Sequence, residues 1–342
     1  MTDNTHRPHV VRTLFSYIIP LIISVGLCYV LFRGVDLGQM WHNMQQCNFT
    51  WLLASLLFSI MAQVARAYRW RLQLRPIGVN PPTGVMINSI FGTYAVNLVL
   101  PRLGELWRTG YIAQRQNAPF ASVFGSMIAD RLADTLAVLI ITTLTFAAMH
   151  SAMEEFASST DIGSRIVSFI HSPWIWVAGI MMVMLVAWIL KAPHKNQMLV
   201  KTANLIRGAW QGFASIARMP HKSTWLGLTA LIWVSYFVEM LISMLAFNDT
   251  YTLLDTHGIS AALITFVFGT IAMAIPSNGG IGPWQGAVVL ALSGLYGLDH
   301  NVALSFATLS LGLQTLLTIV LGMYTFITIA VDKRRHNRTK QA

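Results

Sequence analysis

Arg102, Glu105 and Arg108 stand three residues apart, just after a proline that interrupts an apolar stretch, Asn97-Leu98-Val99-Leu100-Pro101-Arg102-Leu103-Gly104-Glu105-Leu106-Trp107-Arg108. Proline at 101 removes a backbone donor and disfavours helical geometry at Leu100. Gly104 then allows a tight reversal. A helix starting after the proline would carry Arg102, Glu105 and Arg108 along one face. Two arginines so placed can hold phosphate oxygens bidentately, while Glu105 orients a guanidinium or takes a proton. A membrane-interface turn with ordinary arginines is the plainer alternative.

Other charged residues fall inside apolar runs. Asp130, Arg131 and Asp134 lie within 120–149. Asp130 and Asp134 share a helical face, and Arg131 can reach Asp134 at a spacing of three. Charges at mid-membrane cost about 2.5–3.5 kcal/mol each, so they face a cavity or a partner. Near the helix end the same residues would sit at the interface and mean less. Glu239 lies inside 225–247, with Tyr236 and Ser243 nearby. It suits proton coupling or a counter-ion for Arg131 or Arg102, with a structural salt bridge as the alternative. Arg66, Arg69 and Arg71 surround Trp70 at the end of the run 51–66; Arg66 and Arg69 share a helical face and can engage lipid phosphates, with interface anchoring as the simpler alternative.

A second interruption reads Ala274-Ile275-Pro276-Ser277-Asn278-Gly279-Gly280-Ile281-Gly282-Pro283-Trp284. The amides of Ser277, Asn278, Gly279, Gly280 and Gly282 suit an anion-binding nest or an exposed half-helix amino terminus. A tightly packed helix turn is the alternative. The stretch lacks the lysine of a nucleotide-binding P-loop, no histidine pair has zinc spacing, and no serine elbow appears. Cys28 and Cys47 offer neither a disulfide framework nor metal spacing. No catalytic residue, metal or cofactor is expected, and the chain reads as a non-enzyme.

The elements that must position these residues are membrane helices. Hydrophobic residues make up 55% of the 342, charged residues 11%, and mean hydropathy is +0.57. Soluble domains carry roughly a quarter charged residues. The net charge of +10 therefore reflects cytoplasmic retention and anionic headgroups, not nucleic acid. Runs at 14–32, 51–66, 120–149, 173–190, 225–247 and 302–330 can each cross a bilayer, the second by extending into its arginines. Basic residues cluster on one side of them, which predicts both termini in the cytoplasm. That bookkeeping requires 83–115 and 260–301 each to cross an even number of times, as re-entrant hairpins or paired crossings. The predicted fold is all-α, a polytopic helical bundle with six to eight crossings and one or two broken helices. It forms a single domain over 1–342, with an interfacial amphipathic helix at 198–218 and no soluble catalytic domain. Paired interruptions in two halves of such a protein point to a transport site.

With Arg66-Ala67-Tyr68-Arg69-Trp70, Asn97 through Arg108, Ser126 through Arg131 and Pro276 through Gly286, the sequence resembles the flippase-like family related to the transmembrane region of lysylphosphatidylglycerol synthase. In two-part members the membrane region is associated with moving aminoacylated phosphatidylglycerol between leaflets, and a separate soluble domain attaches the amino acid. The resemblance implies a stand-alone inner-membrane lipid translocase or accessory protein, and argues against lysyl transfer. Its partner would be a membrane phospholipid or a polyprenyl-phosphate lipid, and a homo-oligomer stays open. In this reading Arg102 and Arg108 bind phosphate in a polar cavity, Glu105 and Asp130 arrange the charges, and Glu239 couples a proton. Group transfer onto a polyprenyl-phosphate lipid, with Glu105 or Asp130 as base, is the enzymatic alternative, although no Asp-x-Asp metal motif is present. A non-transporting assembly partner is the third.

Overall fold

The computed structural model describes residues 36–149, 172–191, 219 and 221–341, with scattered positions between 26 and 33 and between 199 and 206. The described residues form helices and no strands. In chain order these are α1 (Leu37–Gln46), α2 (Phe49–Leu74), α3 (Thr83–Val99), α4 (Gly104–Arg115), α5 (Phe120–Ala148), α6 (Pro173–Lys191), α7 (Lys222–Met244), α8 (Asn248–His257), α9 (Ile259–Ala272), α10 (Pro283–Val289) and α11 (His300–Gln341). Asp36 and Asn48 start α1 and α2 by accepting the amides of their first turns.

Among the described residues, four helical stretches are long and apolar enough to cross a membrane: Phe49–Ile77, Phe120–Ala148, Lys222–Met244 and His300–Asp332. A fifth arises if α8 and α9, bent by 114° at Gly258, count as one span. The expected count of six to eight is thus not reached among the described residues. The run 14–32 lies almost wholly outside them, as does most of the interfacial helix at 198–218. The bend at Gly258 was not anticipated: its φ of 63° and ψ of −152° suit glycine, which lacks the Cβ that would clash.

Both interruptions are real. α3 stops at Val99 and α4 begins at Gly104; α9 stops at Ala272 and α10 begins at Pro283, passing into a π-helical turn over Leu290–Leu295. The halves stay short, 17 residues for α3 and 14 for α9, below the roughly 20 needed to cross. α2 and α7 form the most extensive helix pairing among the described elements, with α5 against α2, and α11 against α3 and α10. One apolar core joins α7, α9, α10 and α11 around Phe247, Phe266 and Phe306; a second joins α2, α3, α4 and α5 around Trp70, Ile90 and Ile112. The charged residues lie beside the second.

Candidate functional site

Arg66, Arg69 and Gln73 recur at helical spacing, so α2 presents them on one face, and Asp130 and Asp134 do the same on α5. The two faces meet. Arg69 reaches Asp130 and Asp134, each at 2.6 Å, and Arg66 pairs with Asp134. Arg108 from α4 lies 3.3 Å from Asp130, and Arg131 lies 3.0 Å from Asp130 and 3.2 Å from Asp134. With its amide turned to suit its neighbours, Gln73 donates to Asp130 and accepts from Trp225 Nε1. Rings close the sides: Trp70 under Arg108 at 4.4 Å, Trp225 by Arg69 at 5.8 Å and Tyr236 by Arg66 at 6.0 Å.

Four guanidinium groups therefore share two carboxylates, an excess of two positive charges. The Arg69 and Asp130 side chains are fully buried, while Arg131 is 37% exposed at the rim of the cluster. Nε of Arg66, of Arg108 and of Arg131 is buried without a hydrogen-bond partner. Unpaired buried donors are costly, and charged ones more so. A planar fork with a vacant N–H is the geometry that takes a phosphate or carboxylate oxygen.

Several expectations change here. Arg66, Arg69 and Trp70 are not interface anchors; they are buried in the network, and only Arg71 turns outward, to Asn80 and Thr83. Arg102 does not share a helical face with Arg108, because α4 begins only at Gly104. Arg102 carries the reversal itself at φ 63°, and its guanidinium donates to the Ala274 carbonyl at 2.7 Å. Gly104 serves closeness instead: a Cβ there would collide with the Thr93 carbonyl oxygen and the Asn97 side chain. Asn97 accepts the Gly104 amide at 2.8 Å and approaches the Glu105 carboxylate at 3.4 Å. Glu105 orients no arginine across an ion pair among the described residues. Glu239 forms no ion pair with Arg131 or Arg102, which are engaged by Asp130 and Asp134 and by the Ala274 carbonyl. The charged cluster is buried apart from Arg131.

The two breaks meet each other. Asn278 donates to the Leu98 carbonyl at 3.2 Å, and Gly279, at φ 62°, lies where a Cβ would press on the Leu98 side chain. Ser277 turns towards the Ile275 carbonyl at 3.5 Å. Gly280 stands at φ 88° and its carbonyl accepts the Trp284 amide, while Gln285 takes the Gly282 amide. Part of the expected amide nest is thereby used within the turn.

Residues 17–322 match the family described as the lysylphosphatidylglycerol synthase transmembrane region. The chain belongs to that family. It is also similar to a Haloferax volcanii protein, glycosyltransferase AglD, at 22% identity over 96% of this chain. The chain spans 56% of that relative's length. The relative's name overturns the expectation of a non-enzyme. No solved structure gives a significant match. The family and the apolar helices make this a multi-pass membrane protein.

Proposed function

We propose that this protein acts in the modification of a lipid or glycan carrier, binding a phosphate-bearing headgroup at the guanidinium cluster and assisting its passage between the leaflets of the inner membrane. One observation carries the reading: two excess positive charges with three vacant guanidinium N–H groups, packed among membrane helices. A phosphate would enter past Arg131 and take the free donors of Arg108 and Arg131, while Arg69 keeps Asp130 in place. The cluster replaces headgroup hydration, and the acyl or prenyl tails stay in lipid. The joined breaks at 98–104 and 274–282 give the backbone somewhere to yield. Both termini lie in the cytoplasm in this reading, so the basic ends face anionic headgroups. The test is translocation of a fluorescent phosphatidylglycerol in reconstituted vesicles. Arg108→Gln is expected to slow it at least tenfold, and an unchanged rate in folded protein would reject the site.

The glycosyltransferase name of the Haloferax volcanii relative favours a second reading, transfer of a sugar onto a polyprenyl-phosphate lipid. Asp130 is committed to three guanidiniums and is a poor base, so the role falls to Glu105, whose polar contact is the Asn97 amide. Purified protein given a nucleotide-sugar donor and polyprenyl phosphate would form product, and Glu105→Gln would not.

A further inference from the structure

The hydrogen-bonding capacity of the cluster is spent unevenly. Arg69 gives Nε to Asp130 at 3.1 Å and Nη2 to both Asp130 and Asp134 at 2.6 Å. Arg66, Arg108 and Arg131 reach the same two carboxylates through terminal nitrogens alone. Each of the three keeps a buried Nε–H with no acceptor. Three donors and two positive charges therefore go unmet among guanidiniums gathered on one aspartate pair. Both shortfalls are costly among membrane-spanning helices.

Phosphate ligands differ in what they offer such a site. A monoester has three terminal oxygens, and close to two negative charges once its second proton leaves, at a pKa of about 6. A diester such as phosphatidylglycerol has two free oxygens and one negative charge, so it would leave a donor and a positive charge unmet. The flanking helices do not alter the count. Glu105 of α4 and Glu239 of α7 form no ion pair with the cluster among the described residues, and Asp332 of α11 is taken by Arg115 at 2.8 Å. Tyr94 of α3 and Tyr236 of α7 meet each other at 3.2 Å. α9, packed on α5 and α7, has no titratable side chain.

We propose that the lipid recognised here bears a terminal phosphate monoester, as phosphatidic acid and polyprenyl phosphate do, and is preferred over a phosphodiester. Its three oxygens match the three vacant Nε–H groups of Arg66, Arg108 and Arg131, and its two charges match the excess. The inference rests on the guanidinium cluster being the headgroup site. Arg131, at the rim, sets the preference: without it the excess falls to one charge, which a diester satisfies equally well.

The test is equilibrium titration of the full chain in neutral detergent. The probes are short-chain phosphatidic acid, a polyprenyl monophosphate, short-chain phosphatidylglycerol and inorganic phosphate. At about pH 8 both lipid monoesters should bind about tenfold or more tightly than phosphatidylglycerol. By about pH 5, where a monoester regains its second proton, the gap should close, and phosphatidylglycerol corrects for any titration of the protein. These arms need no variant. Arg131→Gln should bring monoester and diester affinities together at the higher pH. Equal wild-type affinities there, both weakened by Arg108→Gln, would overturn the proposal and leave the headgroup site standing. Binding of neither lipid would remove the site and the proposal with it. Inorganic phosphate acting at the same concentration as phosphatidic acid would make the ligand a soluble one and overturn its assignment to a lipid.

Discussion

Arg69 lies 2.6 Å from Asp130 and 2.6 Å from Asp134, so one guanidinium ties two successive turns of α5 to α2. Both side chains of the Arg69–Asp130 pair are fully buried. Removing one partner of a buried pair costs about 3–5 kcal/mol, because the other charge stays desolvated. Asp130→Asn leaves four guanidiniums around one carboxylate and is expected to lose stability in that range. Thermal unfolding in detergent, followed by size exclusion, checks it; a midpoint within a degree of wild type would show that the network holds little.

Headgroup affinity should divide the arginines. Arg108 and Arg131 each hold a vacant Nε and reach Asp130 through a single nitrogen, whereas Arg69 spends three contacts on carboxylates. Arg131→Gln should weaken binding of a short-chain phosphatidylglycerol at least tenfold with stability nearly kept, since its side chain is the exposed rim. Arg69→Gln should lower folded yield first. Native mass spectrometry of retained lipid separates the two outcomes.

Gly104→Ala tests the close approach of α3 and α4. The added Cβ would meet the Thr93 backbone oxygen, which has little room to move. Forcing it in should cost about 1–3 kcal/mol. Gly110→Ala, on the same helix with nothing within 4 Å, is the control and should stabilise by about 0.5–1 kcal/mol. Equal unfolding midpoints for the two variants would remove the packing argument.

The joined breaks predict coupled exchange. Asn278→Ala deletes the bond to Leu98, and Arg102→Ala deletes the bond to Ala274, each worth about 1 kcal/mol. Either change should speed amide hydrogen exchange on both sides, over 97–104 and 274–283. Faster exchange confined to the mutated side would mean that the breaks move independently. Arg102→Ala is also expected to lower translocation, through the break and not through phosphate contact.

Much of this site is legible in the sequence as residue types at helical spacing. Asp130 and Asp134 at four, Arg66 and Arg69 at three, and proline with glycine inside apolar runs all point to protected charge. Spacing along one helix says nothing of what faces it from another. Arg66, Arg69 and Trp70 read as anchors because their partners arrive only with α5 and α4. The left-handed conformation of Arg102 is equally invisible, since Gly104 two residues later is the better local candidate for it. Topology suffers differently: 14-residue and 17-residue apolar pieces fit re-entry and crossing alike, so composition leaves the choice to tertiary contacts.

Arg66 and Arg69 find their carboxylates 61 to 68 positions further along the chain. During synthesis the span bearing them must therefore emerge well before anything can neutralise it. Such a segment enters lipid with its arginines unpaired, at a cost of about 2.5–3.5 kcal/mol for each that lies near the bilayer centre, until α5 is made. Biogenesis, as much as the finished molecule, is governed by when that aspartate-bearing helix appears.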